Sequence, residues 1–316
     1  MPEVVCLGIL VADVYGRPID EWPEKGRLST VEDMGIGLGG CAANTGLSLV
    51  KLGVNTGIMG KVGDDGFGRF VSETLQEAGA DVRGLVVDDR PGTSATMVII
   101  DSRGERTFLH YPGANGRLRC DEIDFDLMTD CRIFHCAGAL VMGDFDGEPM
   151  AECLRKAREA GLTTSLDTVY NDKSGWMAKL EPCLRYTDVF LPSLTEAQKL
   201  TGAQDPETVA ERLLSYGLKI VGLKMGEEGS YVRTPDQELR VPAYRFEAID
   251  GTGAGDAYVA GFLRAMLEGW DLERTVKFAS AVGGLCTTGL GTTAGVRSFE
   301  ATLEFLRAQE PEYWQA

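Results

Sequence analysis

Short apolar runs rich in β-branched residues alternate along the chain with longer segments whose apolar positions recur every three or four residues. Residues 4–10 form the first run and read as a buried strand. A polar stretch with Asp13, Arg17 and Asp20 follows, and Gly35-Ile-Gly-Leu-Gly-Gly40 leads into a helix over 42–52, ended by Gly53. Residues 56–59 read as a strand and 67–78 as a helix stopped by Gly79. Segments 82–87, 94–100 and 107–111 are β-like, with a turn at 102–105. From there the rhythm is regular: strands at 132–136, 163–167, 189–191 and 220–224, and helices at 148–160, 176–185 and 206–216. Three helices, over 254–268, 272–286 and 298–308, close the chain.

Strands alternating with helices predict a mostly parallel sheet covered on both faces, a Rossmann-like α/β/α arrangement. Two β-rich inserts, near 13–37 and 94–112, interrupt that order. Each is too short for a core of its own, so together they read as a small β lid over the ligand edge of the sheet. The expectation is one domain over 1–316 with this lid inserted. Internal repeats and low-complexity segments are lacking.

Charge narrows the partners. The 48 Asp+Glu outnumber the 31 Lys+Arg, for a formal charge of −17. Nucleic acid and anionic membranes would be repelled, and no apolar stretch approaches the ~20 residues of a membrane span. The N-terminus has Glu3 early and no basic region or small-residue cleavage site, so a signal peptide is not expected. The eight cysteines are scattered without a CxxC pair, and there are two histidines. Buried reduced thiols in the cytoplasm are the expectation, and a zinc site is poorly supported. Glycine is abundant, 40 of 316 residues against an average near ~7%. Its clustering suggests loops that approach a ligand closely.

The strongest local signal is Ile249-Asp-Gly-Thr-Gly-Ala-Gly-Asp-Ala-Tyr258, a glycine turn opening a long helix. Unsatisfied N–H groups of Gly253, Ala254 and Gly255 at a helix N-terminus form an anion hole suited to phosphate. A carboxylate at Asp256 would repel a bound phosphate, but it suits a base that takes the proton of an attacking hydroxyl. The alternative is an ordinary glycine turn with Asp256 as a first-turn helix acid.

A second signal is Gly39-Gly-Cys-Ala-Ala-Asn44. Gly39 and Gly40 open backbone N–H groups to a polyhydroxylated ligand, and Asn44 offers a donor and an acceptor. Asp13 suits bidentate bonding to two hydroxyls. Helix and turn capping are the simpler roles for Asn44 and Asp13 taken singly. Gly35-x-Gly-x-Gly is a weak match to a dinucleotide fingerprint, because no clear strand precedes it. Lys224-Met-Gly-Glu-Glu-Gly229 follows a predicted strand; Gly226 and Gly229 suit a loop over nucleotide phosphates, with Lys224 offsetting their charge, or a plain strand-to-strand turn. Leu191-Pro-Ser-Leu-Thr-Glu-Ala197 joins a strand to a helix, where Glu196 fits a capping box. Asp167 falls at a strand C-terminal end, which in an open α/β sheet faces the ligand crevice. His135 and His110 read as a strand residue and a lid residue.

Gly39-Gly-Cys-Ala-Ala-Asn44 with Gly53 and Gly63 resembles the N-terminal signature of the ribokinase-like (PfkB) carbohydrate kinases, and Asp250-Gly-Thr-Gly-Ala-Gly-Asp256 resembles their C-terminal signature. The resemblance covers essentially the whole chain. It implies a Rossmann-like fold with a β lid that often helps form a dimer, ATP as donor, Mg2+ as cofactor, and an alcohol as acceptor. It leaves room for a monovalent cation such as K+. By position Asp256 looks like the family's base; Gly253, Ala254 and Gly255 its anion hole; and Asp13, Gly39, Gly40 and Asn44 its sugar contacts. Gly226 and Gly229 match the ATP-loop glycines, and Glu196 the acidic end of an Asn-x-x-Glu motif tied to magnesium. Two departures stand out: Ser193 replaces that motif's Asn, and Gly251 replaces a residue more often Thr or Ser.

The resemblance therefore implies ATP-dependent phosphorylation of a small sugar or sugar-like polyol. With Ser193 in place of Asn, a water is expected to link Glu196 to the metal. A nucleoside kinase of the same fold and an idle sugar or nucleotide sensor are the alternatives; an NAD-binding protein lacks its strand–GxGxxG–helix unit. Retention of Asp256 beside an intact glycine turn speaks against the sensor.

Overall fold

The computed structural model describes residues 1–173 and 175–314. The chain begins with β1 (Val4–Gly8), β2 (Val11–Arg17) and β3 (Asp33–Gly39), then α1 (Cys41–Lys51), β4 (Thr56–Gly63) and α2 (Gly66–Glu77). β5 (Leu85–Asp88), β6 (Ala95–Ile100), β7 (Arg106–Tyr111) and β8 (Ile133–Ala139) follow. Next come α3 (Glu148–Glu159), β9 (Thr163–Thr168), α4 (Met177–Leu184), β10 (Val189–Phe190), α5 (Leu194–Thr201), α6 (Pro206–Leu214) and β11 (Ile220–Lys224). β12 (Ser230–Arg233), β13 (Glu238–Val241), α7 (Ala254–Leu267), α8 (Leu272–Cys286) and α9 (Phe299–Gln309) complete it.

Nine strands form the main sheet in the order β13-β12-β11-β10-β9-β8-β1-β4-β5. β5 through β11 of that order pair parallel, while β12 and β13 extend the edge antiparallel. Side chains of β1 show the layering: Val4 and Cys6 join one buried cluster with α1, α7 and α8, and Val5 and Leu7 join another with α3 and α6. A strand buried on both faces reads as a continuous apolar run, which is why 4–10 carries no alternation. Each fully buried Leu or Phe in these clusters contributes about 1.5–3 kcal/mol. Among the described residues no helix is long and apolar enough to cross a membrane.

The two β-rich inserts meet in one four-stranded sheet, order β3-β2-β6-β7. The first apolar run is β1 plus a two-residue break, and β2 starts just after it at Val11. At the break the Asn115 side chain accepts from Leu10 N–H at 3.2 Å and donates to Leu10 C=O at 2.9 Å, so both Leu10 backbone groups are satisfied by a side chain. The glycine run 35–39 is itself strand β3, paired antiparallel with β2. A Cβ on Gly35 would stand 2.5 Å from the Tyr15 hydroxyl, and one on Gly39 2.1 Å from Asp13 Oδ2. These glycines make room for the Tyr15 and Asp13 side chains lying across the sheet, and the run is no dinucleotide turn. β12 and β13 were not expected: they are short, and only the turn after Lys224 hints at them.

Candidate functional site

The described helices α2, α5, α6, α8 and α9 start at an Asp or Ser whose side chain accepts a first-turn N–H. Helices α1 and α7 start instead at Gly40 and Gly253, which supply no such acceptor. Neither N-terminus has a side-chain cap; Ala42 N–H donates to Ile9 C=O and Ala254 N–H to Gly251 C=O, each at a long 3.3 Å, and both ends keep the partial positive charge that attracts anions. Gly253 takes φ 79°, and a Cβ there would lie 2.0 Å from Thr292 C=O, so conformation and clearance both demand glycine. The two ends converge. Asn44, in α1, donates from Nδ2 to Oδ2 of Asp256, in the first turn of α7, at 2.8 Å, and Thr45 Oγ1 donates to Asp256 C=O at 3.4 Å. The Cys41 thiol also helps lower the Asp256 pKa.

Lys224 brings the sheet into this cluster. Its Nζ lies 3.3 Å from Asp167 Oδ2, and a Cβ built on Gly255 would stand 3.5 Å from it. The ammonium thus sits between a buried carboxylate and the glycine turn of α7. Burial works against its charge, but the carboxylates of Asp167, Glu196 and Asp256 outweigh that and raise its pKa. Burial pushes Asp167 up to about 7, with Lys224 pulling down and Asp256 and Glu196 pushing further up. Asp256 is raised by burial too, against the lowering pull of the Asn44 hydrogen bond, Lys224 and Cys41. A buried carboxylate group of this kind, held part-way to neutrality, is poised to exchange a proton.

Glu196 lies on the same side. Its Oε2 accepts from Thr168 Oγ1 at 3.0 Å and from Ser193 N–H at 2.8 Å, and the Ser193 hydroxyl accepts from Glu196 N–H at 3.3 Å. The capping box read from the sequence is therefore formed, and it fixes one Glu196 oxygen. Asp167 Oδ1 and Asn44 Oδ1 are buried without a hydrogen-bond partner. Three carboxylates around one ammonium, with an orphaned carboxylate oxygen, fit a hydrated divalent cation. Among the described residues no three or more His, Cys, Asp or Glu side chains are grouped to hold a metal by themselves.

The smaller sheet contributes Asp13, in register with Gly37 on β3 and Thr96 on β6. Burial raises Asp13, while the Thr96 hydroxyl and the Arg106 charge lower it. Arg106, at the start of β7, reaches the loop ahead of α7. Its Nη2 lies 2.5 Å from Asp250 Oδ2, and Nη1 donates to Thr252 Oγ1. Asp250 also accepts from the N–H of Thr252 at 2.9 Å and of Gly291 at 2.8 Å. Burial would raise Asp250, but these donors hold it below the usual carboxylate range. Gly226 opens the short turn joining β11 to antiparallel β12, and Gly229 closes it, packed against Val241 C=O. The strand-to-strand turn is thus the local structure there, and the structure does not join Gly226 or Gly229 to the carboxylate cluster.

Cys41, Thr168, Asp250 and Arg106 are neighbours of the cluster that sequence reasoning did not single out as site residues. Cys41 lies inside the quoted glycine motif and Asp250 opens the other, so proximity to a motif was the available signal. Buried His135 donates or accepts at Ser165 Oγ, 3.1 Å away. Burial, assisted by the Lys224 charge, lowers it to about 3, so its ring is neutral.

A mostly parallel sheet with two glycine-started helices packed on one face and a small second sheet alongside is the layout of a ribokinase-like kinase. A fructokinase from Xylella fastidiosa, solved with bound ATP, has a TM-score of 0.85 at 25% identity, covering 98% of this chain and 99% of that one. An E. coli protein solved in complex with ATP and Mg2+ has a TM-score of 0.84 at 25% identity, covering 98% of this chain and 100% of that one. The 5-dehydro-2-deoxygluconokinase of Clostridium perfringens is 30% identical over 290 residues, 87% of this chain and 86% of that protein. Residues 1–298 match the profile of the pfkB family carbohydrate kinases. The chain belongs to the pfkB family of carbohydrate kinases.

Proposed function

We propose that this kinase transfers the γ-phosphoryl group of ATP to a hydroxyl of a small sugar or sugar-like polyol, with Asp256 as the base. The observation that carries the reading is the convergence of two helix N-termini without side-chain caps on one buried carboxylate. N–H groups of Gly253, Ala254 and Gly255 would hold the transferring phosphoryl oxygens, and Lys224 would add charge beside them. Asp256 takes the hydroxyl proton as the oxygen attacks phosphorus. Asn44 keeps that carboxylate oriented and more acidic than burial alone would leave it. Asp13, Gly39, Gly40, Asn44 and Asp167 form the acceptor-binding set. Gly226 and Gly229 belong to the nucleotide end.

Mg2+, when bound with the nucleotide, supplies charge neutralisation on the phosphates. Glu196 is the residue to hold it, through water, because Mg2+ retains several of its waters. Solved relatives carrying ATP, and ATP with Mg2+, support this cofactor pair.

The smaller sheet acts as a lid and as a dimer surface in this reading. Met34, Ile36, Met97, Leu109 and Tyr111 are exposed on one of its faces, the one opposite Asp13 by strand register. Exposed apolar groups contiguous in this way favour a second copy of the chain. Sedimentation at micromolar concentration should show a dimer that Met97→Lys weakens; a monomer throughout would remove this element.

A coupled ADP-release assay with ATP, Mg2+ and a panel of pentoses, hexoses, keto-acid sugars, polyols and nucleosides tests the function. One class of sugar or polyol should stimulate release. Stimulation by nucleosides alone would make the acceptor a nucleoside, and no stimulation by any acceptor would favour a sensor.

A further inference from the structure

The chain brings together two cysteines, 33 positions apart. The Cys153 thiol, on the buried face of α3, donates to Cys120 Sγ at 2.8 Å. Lys156 Nζ, one turn along α3, lies 3.9 Å from the same sulfur and 5.2 Å over the Phe125 ring. Cys120 is partly exposed and Cys153 fully buried. Solvent therefore reaches one residue of the pair and not the other, and the sulfur of that residue carries both donated contacts.

We propose that Cys120 and Cys153 are a thiol pair that exchanges with small-molecule disulfides, Cys120 attacking and Cys153 resolving. The Cys120 thiolate would attack one sulfur of R–S–S–R, forming a Cys120–S–S–R bond as the original S–S bond breaks and RS⁻ departs. The sulfur of Cys153 then attacks Cys120 Sγ. The second RS⁻ leaves; the Cys153 proton goes to one departing thiolate, and the proton Cys120 released to water on ionising goes to the other. Two protein thiols are oxidised to one disulfide, and R–S–S–R is reduced to two R–SH.

The other cysteines lack this arrangement. The Cys153 hydrogen bond leads in lowering the Cys120 pKa, with Lys156 adding to it against burial and the charges of Glu152 and Asp121. The partly exposed Cys41 and Cys131 are shifted the opposite way, Cys131 to about 11, in both cases by burial first. The remaining thiols, Cys6, Cys136, Cys183 and Cys286, are buried. Thiolate character and access thus coincide at Cys120. Closing the bond would tie the segment leading from β7 to β8 onto α3. That segment already carries Glu122, whose carboxylate lies 2.7 Å from the buried Lys61 ammonium.

The test uses the reduced, full-length protein, freed of reductant and exposed to oxidised glutathione, with intact-mass and peptide mass spectrometry. Wild type should lose the mass of two hydrogens and yield a Cys120–Cys153 cross-linked peptide pair. Cys153→Ser and Cys153→Ala should instead stop with one glutathionyl group on Cys120, and Lys156→Met should slow iodoacetamide labelling of Cys120 several-fold. Glutathionylation of Cys41 or Cys131 with Cys120 left free would overturn the proposal. So would a wild-type Cys120 adduct that never resolves.

Discussion

Asn44 Nδ2 and Asp256 Oδ2 lie 2.8 Å apart although 212 positions separate the residues in the chain. The bond stabilises the charged form of a carboxylate that burial pushes toward neutrality. The rate should therefore rise with pH along an acid limb lying above the ordinary carboxylate range. Asn44→Ala removes the donor, so Asp256 becomes harder to ionise and the limb should move to higher pH. A kcat/KM profile of the two proteins checks this; an unmoved limb would separate Asn44 from the ionisation of Asp256.

Stability should carry the mark of Asp167. Its pKa is about 7 in the fold and 3.8 as the reference carboxyl, so the folded chain holds the extra proton between these values. Stability from this group is full below pH ~4 and falls as pH rises toward ~7, since the unfolded chain then binds fewer protons than the folded one. Neutral His135, with its pKa near 3, has the opposite slope between about 3 and its reference value of 6.5. The two offset each other in wild type. Asp167→Asn deletes the first and leaves the second, so the melting temperature of the variant relative to wild type should climb between pH 4 and 7. Calorimetric scans across that interval measure it, and parallel curves would contradict the shift of Asp167.

Glu196 is held by the capping box with Ser193 and by Thr168, one oxygen serving both bonds. Glu196→Gln should raise the Mg2+ concentration for half-maximal rate and lower kcat, leaving the sugar KM little changed. Ser193→Asn should be tolerated, since Asn is also a good N-cap. Mg2+ titrations of the rate decide. A silent Glu196→Gln beside a damaging Ser193→Asn would reduce the segment to a helix cap.

Arg106 links the smaller sheet to the loop ahead of α7 through Asp250 and Thr252. Arg106→Ala should loosen the sheet, raise the sugar KM, and speed amide exchange over 11–39 and 95–111 in the free protein. Adding the sugar substrate should slow exchange in the same segments of wild type. Equal exchange with and without it would count against a lid.

What was legible in the sequence follows from how local each cause is. The strand–helix alternation, the α1 and α7 starts and the Ser193–Glu196 box depend on a few neighbouring residues, and they were visible. The strand identity of 35–39 was not, because its glycines answer to Tyr15 and Asp13 on another strand. β12 and β13 escaped notice because strands of four residues carry little periodicity. The meeting of Lys224 with Asp167, of Arg106 with Asp250, and of Cys120 with Cys153 depends on chain crossings that no short motif records. The motif residues named the carboxylate, and the fold supplied its surroundings.

The proposed function turns on Asp256 as the group that removes the proton of the attacking hydroxyl. The most direct test is the kcat of Asp256→Asn with ATP, Mg2+ and the acceptor found by the ADP-release panel, alongside the variant's nucleotide affinity. The substitution keeps the shape and removes the base, so kcat should fall by about 10²–10⁴-fold while the nucleotide binds as well as before or better. An Asp256→Asn protein that keeps most of the wild-type kcat would contradict the account.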